Sequence, residues 1–475
     1  MSNPLYSAIK RSVTGKLLTY IVQFFALAIY ARIFTPEQFG VIASIQVFVI
    51  FFQLLADVGI GPAIINEEKF TARQRDGIFS ITLILGLLLG VLFYSFSYAL
   101  NAFYNGYKYQ EIALVVSLGI VFNALSIVPL TSLNKDAAFL KIAKVDCLVE
   151  LISLAIVYFL HYLGVGLIAL AIKSLSQALF RFIFLWFISK KTSLGRPKLG
   201  KELYHIKKIA GFASYQFGFN LINYFSRNLD KILIGKYIST SALGVYEKSY
   251  QLMQYPLMLT TFAMTPAIQP ILTKARDDID KIVNEHNKLT SKLLILSILI
   301  SVFIYFNASN IVLILFGKQW SQVIPLIEIF SFMIPIQAVM STSGSFFQVM
   351  NKPKLLFISG LLSAISNVTA ISIGVYLGNL KSISLCLLLS FSINFIQCYW
   401  ILFNHCFQKK LTFFLSTLLK SIYCITPSII FYISLNHTLK NIFSNTSIIN
   451  LMQNIILALF CITTLYIIKK FIPIK

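Results

Sequence analysis

The sequence predicts an all-α polytopic membrane protein with about fourteen transmembrane helices, in two parallel six-helix lobes plus two C-terminal helices. Three observations predict it. Hydrophobic residues make up 57% of the chain and charged residues only 12%, whereas about a quarter of a soluble domain is charged. Apolar runs of the roughly 20 residues that cross a bilayer recur along the chain. Short sequences from the first half also recur in the second half.

The first apolar run begins near Val13 and leads into no small-residue cleavage site, so we expect a retained first span and not a signal peptide. The later runs are separated by short polar segments that contain most of the charged residues. The predicted spans are 13–33, 39–64, 77–99, 112–133, 145–164, 167–188, 209–235, 242–270, 293–316, 322–350, 355–377, 382–407, 413–435 and 449–468.

The internal repeat consists of two pairs of matching segments. Residues 32–41 match residues 236–245 at an offset of 204, and residues 133–135 match residues 350–352 at an offset of 217. Six spans separate the copies, so both halves have the same orientation, as in parallel repeats related by an axis along the membrane normal. The predicted domains are an N-terminal lobe 1–188, a basic cytoplasmic linker 189–208, a C-terminal lobe 209–407 and two additional helices in 408–475.

The formal net charge of +23 reflects topology more than a nucleic-acid partner. With the N-terminus inside, and with Lys16 at the inner edge of the first span counted as cytoplasmic, the predicted cytoplasmic segments hold 28 Lys and Arg and the outer loops hold five. Because positive residues in short loops stay cytoplasmic, both termini are expected on the cytoplasmic side of the membrane. Between residues 273 and 292, Ile279, Ile282 and Val283 recur at helical spacing and predict a short interfacial helix.

Three charged residues share one face of the predicted seventh span. Arg227, Asp230 and Lys231 are spaced i, i+3 and i+4, so they project to the same side of a helix. Charges inside a membrane are costly and are functional candidates by default. One interpretation is a structural carboxylate neutralised by its neighbours. The other is a binding site, because the set has a net charge of +1 and leaves a cation for an anionic ligand.

Other candidates lie on spans two and six. Asp57 precedes Gly59, Gly61 and Pro62, and glycines followed by proline indicate a helix that bends or breaks. A hinge is favoured there over a cation site, and both remain open. On span six, Lys173 and Arg181 share their helix with no acidic residue, but could instead extend to opposite membrane faces.

No pattern in the sequence indicates an enzyme or a bound metal. The chain contains no HExxH, no GxSxG and no P-loop, and its five histidines are scattered. The six cysteines show no CxxC spacing. The short predicted outer loops leave little room for the active site of an external membrane enzyme. We therefore expect no cofactor, no metal and no catalytic residue.

Several of these segments resemble a known family. The stretches 32–40, 57–65, 227–235, 243–246 and 254–256 are similar to Wzx-type polysaccharide flippases of the multidrug/oligosaccharidyl-lipid/polysaccharide superfamily, in the branch of colanic-acid and teichuronic-acid exporters. The resemblance implies flipping of an undecaprenyl-diphosphate-linked oligosaccharide across the inner membrane by alternating access, for surface polysaccharide biosynthesis. Polymerase and chain-length proteins of the same pathway would be its partners, together with membrane lipids.

The resemblance implies roles for the candidate residues. Arg227, Lys231, Lys173 and Arg181 are the candidates for binding the diphosphate, and Asp230 and Asp57 are candidates for ion coupling or for orienting the cations. Two alternatives are weighed against a flippase. A cation-coupled multidrug antiporter of the same superfamily would need acidic residues deep in a lobe, where this chain is mixed and locally basic. A polymerase or ligase would need a large outer loop.

Overall fold

The structure is a computed structural model that divides into two compact units, Met1–Gly244 and Val245–Lys475. No strand occurs among the residues it describes. Those residues are 4–57, 60–67, 70–104, 107–203, 224–261, 268, 272–273, 278–442 and 454–455.

The first unit is built from long apolar helices joined by short turns. The helix α8 is described over residues 224–237, and α9 begins in the first unit at Thr240 and continues into the second unit from Val245. The bounds are α1 Pro4–Ile33, α2 Pro36–Asp57, α3 Ile60–Asn66, α4 Ala72–Tyr104, α5 Gln110–Lys135, α6 Phe139–Tyr162, α7 Leu167–Ser189, α8 224–237 and α9 Thr240–Thr261.

Local sequence sets where two of these helices start. Before α2, the Thr35 hydroxyl accepts from the Gln38 amide N–H at 3.3 Å, and the Gln38 side chain accepts from the Thr35 N–H at 3.0 Å. Thr71 and Gln74 exchange the same two bonds before α4. This reciprocal capping box satisfies N–H groups that the first helical turn leaves unpaired. The helix starts are therefore encoded by a Thr-x-x-Gln pattern in the sequence.

The main core of the first unit lies where α2, α4 and α5 meet. Val41, Ile45 and Val49 on α2 are buried against Phe93 of α4 and Ile120 of α5. Small residues bring α4 and α5 together, and a Cβ placed on Gly86 would lie 2.9 Å from the Ala124 Cβ. Burial of such a face, and not helix propensity, supplies most of the stability of a helix in a folded protein.

The segment after α7 is fastened to the beginning of α4. We call residues 193–202 the strap. Its Lys198 N–H donates to Asp76 Oδ1 at 2.9 Å, and Ser80 Oγ donates to the Gly200 carbonyl at 2.8 Å. A Cβ on Gly77 would lie 1.9 Å from the Glu202 carbonyl oxygen, so the strap lies flat on the backbone of α4. Half of the predicted linker is therefore bound to the first unit along its length.

The second unit contains one bent helix pair and a long helix that starts before the predicted membrane boundary. A 3₁₀ turn, Lys318–Val323, precedes α11, and a π-helical turn, Ile401–Phe407, follows α15. The helices are α10 Ile279–Leu315, α11 Ile324–Ser331, α12 Met333–Met340, α13 Ser343–Val349, α14 Pro353–Tyr376, α15 Leu380–Trp400 and α16 Leu411–Ile442.

Aromatic residues and one histidine fill the core of the second unit. The His286 ring of α10 is fully buried, with its centroid 4.7 Å from Phe346 and 5.4 Å from Phe403. Farther along α10, Asn307 Nδ2 donates to the Tyr432 hydroxyl at 2.9 Å, and Asn454 Nδ2 donates to Asn307 Oδ1 at 2.7 Å. This buried triad ties both C-terminal segments to α10.

The described residues confirm a polytopic all-α membrane protein. Nine of their helices are long and apolar enough to cross a bilayer, or ten if the pair bent by 51° between 318 and 349 is one span. The predicted spans 209–235 and 449–468 lie largely outside the described residues. The expected short interfacial helix is wrong as a separate element, because Ile279 and Val283 form the first turns of the 37-residue α10. No proline interrupts that stretch.

Candidate functional site

The predicted charged stripe lies on α8 in the first unit. Asp230 is buried at 5% exposure, Lys231 is partly buried and Arg227 is exposed. The Lys231 N–H donates to Asp230 Oδ1 at 2.8 Å. Arg227 forms no ion pair with any residue that the structure describes. The stripe therefore presents an exposed guanidinium beside a buried carboxylate, on one side of a single helix.

Contacts with α2 hold the start of α8. The Tyr224 hydroxyl donates to the Val47 carbonyl, and the rings of Phe225 and Phe51 lie 5.2 Å apart. The Asn228 side chain donates to the Tyr224 carbonyl at 2.9 Å, closing one helical turn. Arg227 lies in the same helical turn, between Phe225 and Asn228. Packing of the neighbouring residues, and not the charges themselves, therefore sets its position.

The two cations predicted on span six are both paired with acids of the preceding helix. Arg181 Nε on α7 donates to Asp146 Oδ1 on α6 at 2.9 Å. Lys173 Nζ lies 3.8 Å from Glu150 Oε1 and 4.2 Å from the centre of the Tyr30 ring. Neither cation is left uncompensated in this arrangement.

Glu150 has a further partner on α7, the helix that carries Lys173. Gln177 Nε2 donates to Glu150 Oε2 at 2.7 Å, so a neutral amide and an ammonium both face this carboxylate. One turn farther along α6, the Ser176 hydroxyl donates to the Ser153 hydroxyl at 3.0 Å. The polar groups between α6 and α7 thus satisfy one another, as buried polar groups must in a membrane protein.

Charge counting separates the two groups of candidates. Between α6 and α7 the carboxylates of Asp146 and Glu150 face Arg181 and Lys173, so an anion could bind these two cations only by displacing a carboxylate. In the stripe of Arg227, Asp230 and Lys231, two cations accompany one carboxylate, which gives the stripe a net charge of +1. Among the described candidates, the α8 stripe is therefore the better place for an anionic ligand.

Asp57 lies at the end of α2, just before the short helix α3. Helix α2 ends at Asp57 and α3 begins at Ile60, and the Gly61 N–H donates to Asp57 Oδ1 at 3.4 Å. At the other end of α3, Lys135 Nζ donates to the carbonyls of Ile64 at 3.2 Å and Glu67 at 2.6 Å. A cation on the last carbonyls of a helix is favourable. Lys135 belongs to the second repeated segment.

The hinge itself is described only in part. Gly59 and the side chain of Pro62 lie outside the described residues, while a Cβ on Gly61 would lie 3.3 Å from Thr131 Oγ1. The roles of Asp57, Gly59, Gly61 and Pro62 as hinge or ion-coupling residues stay predictions. The structure adds that the Asp57 carboxylate faces the first turn of α3.

Sequence reasoning missed the acidic partners on α6, although a signal was present. Helices α6 and α7 form an antiparallel hairpin joined by residues 163–166. Moving four residues toward that turn on both helices leads from the pair Asp146 and Arg181 to the pair Glu150 and Gln177. Both pairs therefore share one antiparallel register, so either pair predicts the other.

Metal binding finds no support in the part of the chain that is described. No three His, Cys, Asp or Glu side chains come together there in a way that could hold an ion. The polar groups assembled on α6, α7 and α8 are amides, hydroxyls, carboxylates and cations. Such groups suit the recognition of an anion or of hydroxyls.

The sequence matches a family described as "Polysaccharide biosynthesis protein" over residues 29–325. It is 22% identical to the teichuronic acid biosynthesis protein TuaB of Bacillus subtilis (strain 168), over 75% of this chain and 74% of that protein. It is 21% identical to the lipopolysaccharide biosynthesis protein WzxC of Escherichia coli (strain K12), over 87% of this chain and 84% of that protein.

Solved structures show the same fold. The lipid II flippase MurJ in an inward closed conformation matches with a TM-score of 0.74 and 14% identity, over 95% of this chain and 98% of that one. A multidrug resistance MATE family transporter of the MOP superfamily, in an inward-facing conformation, matches with a TM-score of 0.61 and 13% identity, over 80% and 93%. At these identities the likeness concerns the fold alone.

Proposed function

The chain belongs to the family of polysaccharide biosynthesis proteins, and from that premise we propose that it flips an undecaprenyl-diphosphate-linked oligosaccharide across the bacterial inner membrane. It is a multi-pass transporter and not an enzyme. Flipping requires a polar path for the glycan and cations for the diphosphate, while the lipid tail stays in the bilayer. The observation that supports this function most directly is the exposed guanidinium of Arg227 on α8, which forms no ion pair with the residues that the structure describes.

We assign the diphosphate to Arg227 and Lys231. A diphosphate is a multivalent anion, and an arginine fork can bind two of its oxygens at once. Arg227 is exposed and Lys231 lies one helical turn away on the same face. The buried Asp230 between them would orient the cations or exchange a coupling ion. Each of these roles requires that the stripe line a wet path, because a charge facing lipid is costly.

Lys173 and Arg181 take a secondary place in the proposal. Both are bound to carboxylates in the observed state, so they could contact substrate only after Glu150 or Asp146 releases them. A transport cycle could use such an exchange. In the observed state their effect is to hold α6 against α7.

The remaining organisation follows the sequence pattern. We propose lobes at 1–188 and 209–407, a linker at 189–208, two additional helices in 408–475, and cytoplasmic termini. We also propose that polymerase and chain-length proteins of the pathway receive the product. The similarity to a MATE transporter concerns the fold alone, so it is no argument that this chain is a drug antiporter.

Reconstitution tests the proposed function. The purified chain is placed in vesicles containing an undecaprenyl-diphosphate-linked glycan with a fluorescent label, and a membrane-impermeant glycosidase is added outside. Vesicles with the protein should lose nearly all labelled glycan, whereas protein-free vesicles should retain the inner half. Equal protection in both preparations would contradict flipping. Uptake of a cationic drug driven by an ion gradient, without glycan transfer, would favour the antiporter.

A further inference from the structure

The two copies of the first repeated segment lie against each other. A Cβ placed on Gly40 would lie 1.6 Å from the Thr240 carbonyl oxygen, and one placed on Gly244 would lie 1.9 Å from the Pro36 carbonyl oxygen. Atoms that are not bonded cannot approach so closely, so neither position accepts a side chain without separating the helices. We call these four residues the glycine contact.

The glycine contact is reciprocal. Thr240 follows Pro36 by 204 residues and Gly244 follows Gly40 by the same 204 residues, which is the offset of the repeat. Each copy therefore contributes its glycine to the carbonyl of the other copy. When one residue contacts a second and their equivalents contact in return, the two elements are related by a local two-fold axis. That axis passes between the first turns of α2 and α9.

The two helix starts are also built alike. Thr35 caps α2, and its equivalent Ser239 caps α9, where the Ser239 hydroxyl accepts from the Ala242 N–H at 3.0 Å. The repeat thus preserves the cap, the first turn and the glycine one turn later. Sequence divergence has removed most other matches between the copies. Within the contact both copies keep the glycine, and the carbonyl comes from Pro36 in one copy and from Thr240 in the other.

Packing continues from the glycine contact along one face of α2. Val47 lies two turns beyond Gly40 on the same side, is 3% exposed, and its carbonyl accepts from the Tyr224 hydroxyl. Next to Val47, the Ser44 hydroxyl lies 2.9 Å from the Tyr109 hydroxyl, and Ser44 itself donates to the Val41 carbonyl at 2.8 Å. Tyr109 is therefore the donor of that bond. The residues behind the contact are closed off from solvent.

We infer that the glycine contact is a latch that closes the outer end of the substrate path and separates once in each transport cycle, with Gly40 and Gly244 as positioning residues. The inference rests on the proposed function, and on the proposed orientation, which puts the starts of α2 and α9 at the outer surface. Parallel repeats are related by an axis along the membrane normal. A contact on that axis is where matching parts of the two copies meet at one membrane face.

A backbone contact on the axis has the properties of a latch. It excludes water because no side chain stands between the helices, and it can part without rotamer changes or broken ion pairs. A single methyl group would hold it open, since ordinary contact requires the Cβ to move roughly 2 Å away from the carbonyl oxygen. Gly40→Ala and Gly244→Ala should therefore act as equal wedges, although 204 residues separate them.

Thiol labelling of Val47→Cys tests the latch. The six native cysteines are first replaced by serine, and right-side-out vesicles are treated with a membrane-impermeant maleimide. We expect slow labelling in the parent and a several-fold faster reaction when Gly40→Ala or Gly244→Ala is added. The double variant should react no faster than either single one, because both changes open the same contact.

Gly86→Ala is the matched control. It also inserts a methyl group into a tight helix contact, 2.9 Å from the Ala124 Cβ, but between α4 and α5. It should leave the labelling rate of Val47→Cys unchanged. If Gly40→Ala and Gly244→Ala accumulate normally and label at the parental rate, the contact is static and the inference is wrong.

A second measurement needs no glycine variant, so it also tests the latch if Gly40→Ala and Gly244→Ala fail to fold. In the parent carrying Val47→Cys, labelling should rise when lipid-linked substrate is supplied and fall when its synthesis stops. Complete protection during continued export would contradict the latch. Faster labelling only in inside-out vesicles would support the latch and overturn the proposed orientation. A wedge effect with no response to glycan would support the latch and contradict the proposed substrate.

Discussion

Arg181 donates a 2.9 Å hydrogen bond to Asp146, and four residues nearer the turn on both helices Gln177 donates to Glu150 in the same register. The pairing follows from the antiparallel register of the hairpin. It also changes how the candidate cations are ranked, since a guanidinium already bound to a carboxylate is a poor ligand for a diphosphate. The α6–α7 charges are accordingly expected to act mainly in folding.

Neutralising both members of that pair should be better tolerated than neutralising one. Arg181→Gln leaves Asp146 partly buried without its partner, which costs about 1–2 kcal/mol of stability. The double change with Asp146→Asn removes both charges and should recover most of it. Membrane abundance and melting temperature in detergent are the measurements. A double variant as unstable as the single one would show that the charges do more than balance each other.

Cutting the chain just after the strap should be harmless, whereas deleting the strap should destabilise the first half. With the break after Leu203, residues 193–202 keep their bonds to Asp76 and Ser80, and co-expressed halves should restore most of the export. Deleting the strap exposes those partners and the backbone beside Gly77, so abundance of the first half should fall. Immunoblots of membranes and surface glycan measure the two effects. Normal abundance without the strap would show that its bonds contribute nothing.

The buried triad of Asn307, Tyr432 and Asn454 should hold the C-terminal segments in place. Tyr432→Phe removes one hydrogen bond at unchanged ring packing and should cost about 0.6 kcal/mol. Asn307→Leu removes the partner of both other residues and should cost about 1–3 kcal/mol. Limited proteolysis of the C-terminal segment reports its detachment. Equal protease resistance in Asn307→Leu and the parent would exclude an anchoring role.

Topology can be tested with reporter fusions at three points, two predicted to be cytoplasmic and one predicted to be external. Reporter fusions after Lys198 and after Lys475 should both read as cytoplasmic. A fusion between Gly378 and Lys381, in the tight turn where Gly378 has φ +75° and Asn379 caps α15, should read as external. A cytoplasmic signal in that turn would contradict the fourteen-span prediction.

The parts of the fold that sequence predicted are those encoded locally. Hydropathy placed the helices, and the Thr-x-x-Gln boxes at Thr35 and Thr71 mark the starts of α2 and α4. The continuous α10 was not predicted, because a drop in hydropathy near Glu285 resembles a membrane boundary, although nothing there breaks a helix. Composition therefore locates the apolar part of a helix better than its end.

Contacts between distant segments were harder to predict. The aromatic surroundings of His286 come from α13, α15, the π-helical turn and α16, and no local pattern specifies them. The glycine contact was predictable only in part. The repeat marked Gly40 and Gly244 as equivalent, but only coordinates show that each glycine lies on the carbonyl of the opposite copy. The charges on α8 were found by helical spacing alone, since i, i+3 and i+4 are neighbours on one helix.

The most direct test of the account concerns the charges of α8. Arg227→Gln with Lys231→Gln removes both cations that neighbour the buried Asp230 on the stripe and could fail through instability. The informative variant is therefore the triple that also carries Asp230→Asn, in which the stripe carries no charge. Membrane abundance and surface polysaccharide are measured in the same cells. We predict normal abundance, no exported glycan and accumulation of lipid-linked precursor in the inner leaflet. Near-normal export by the triple variant would contradict the assignment of the diphosphate to Arg227 and Lys231.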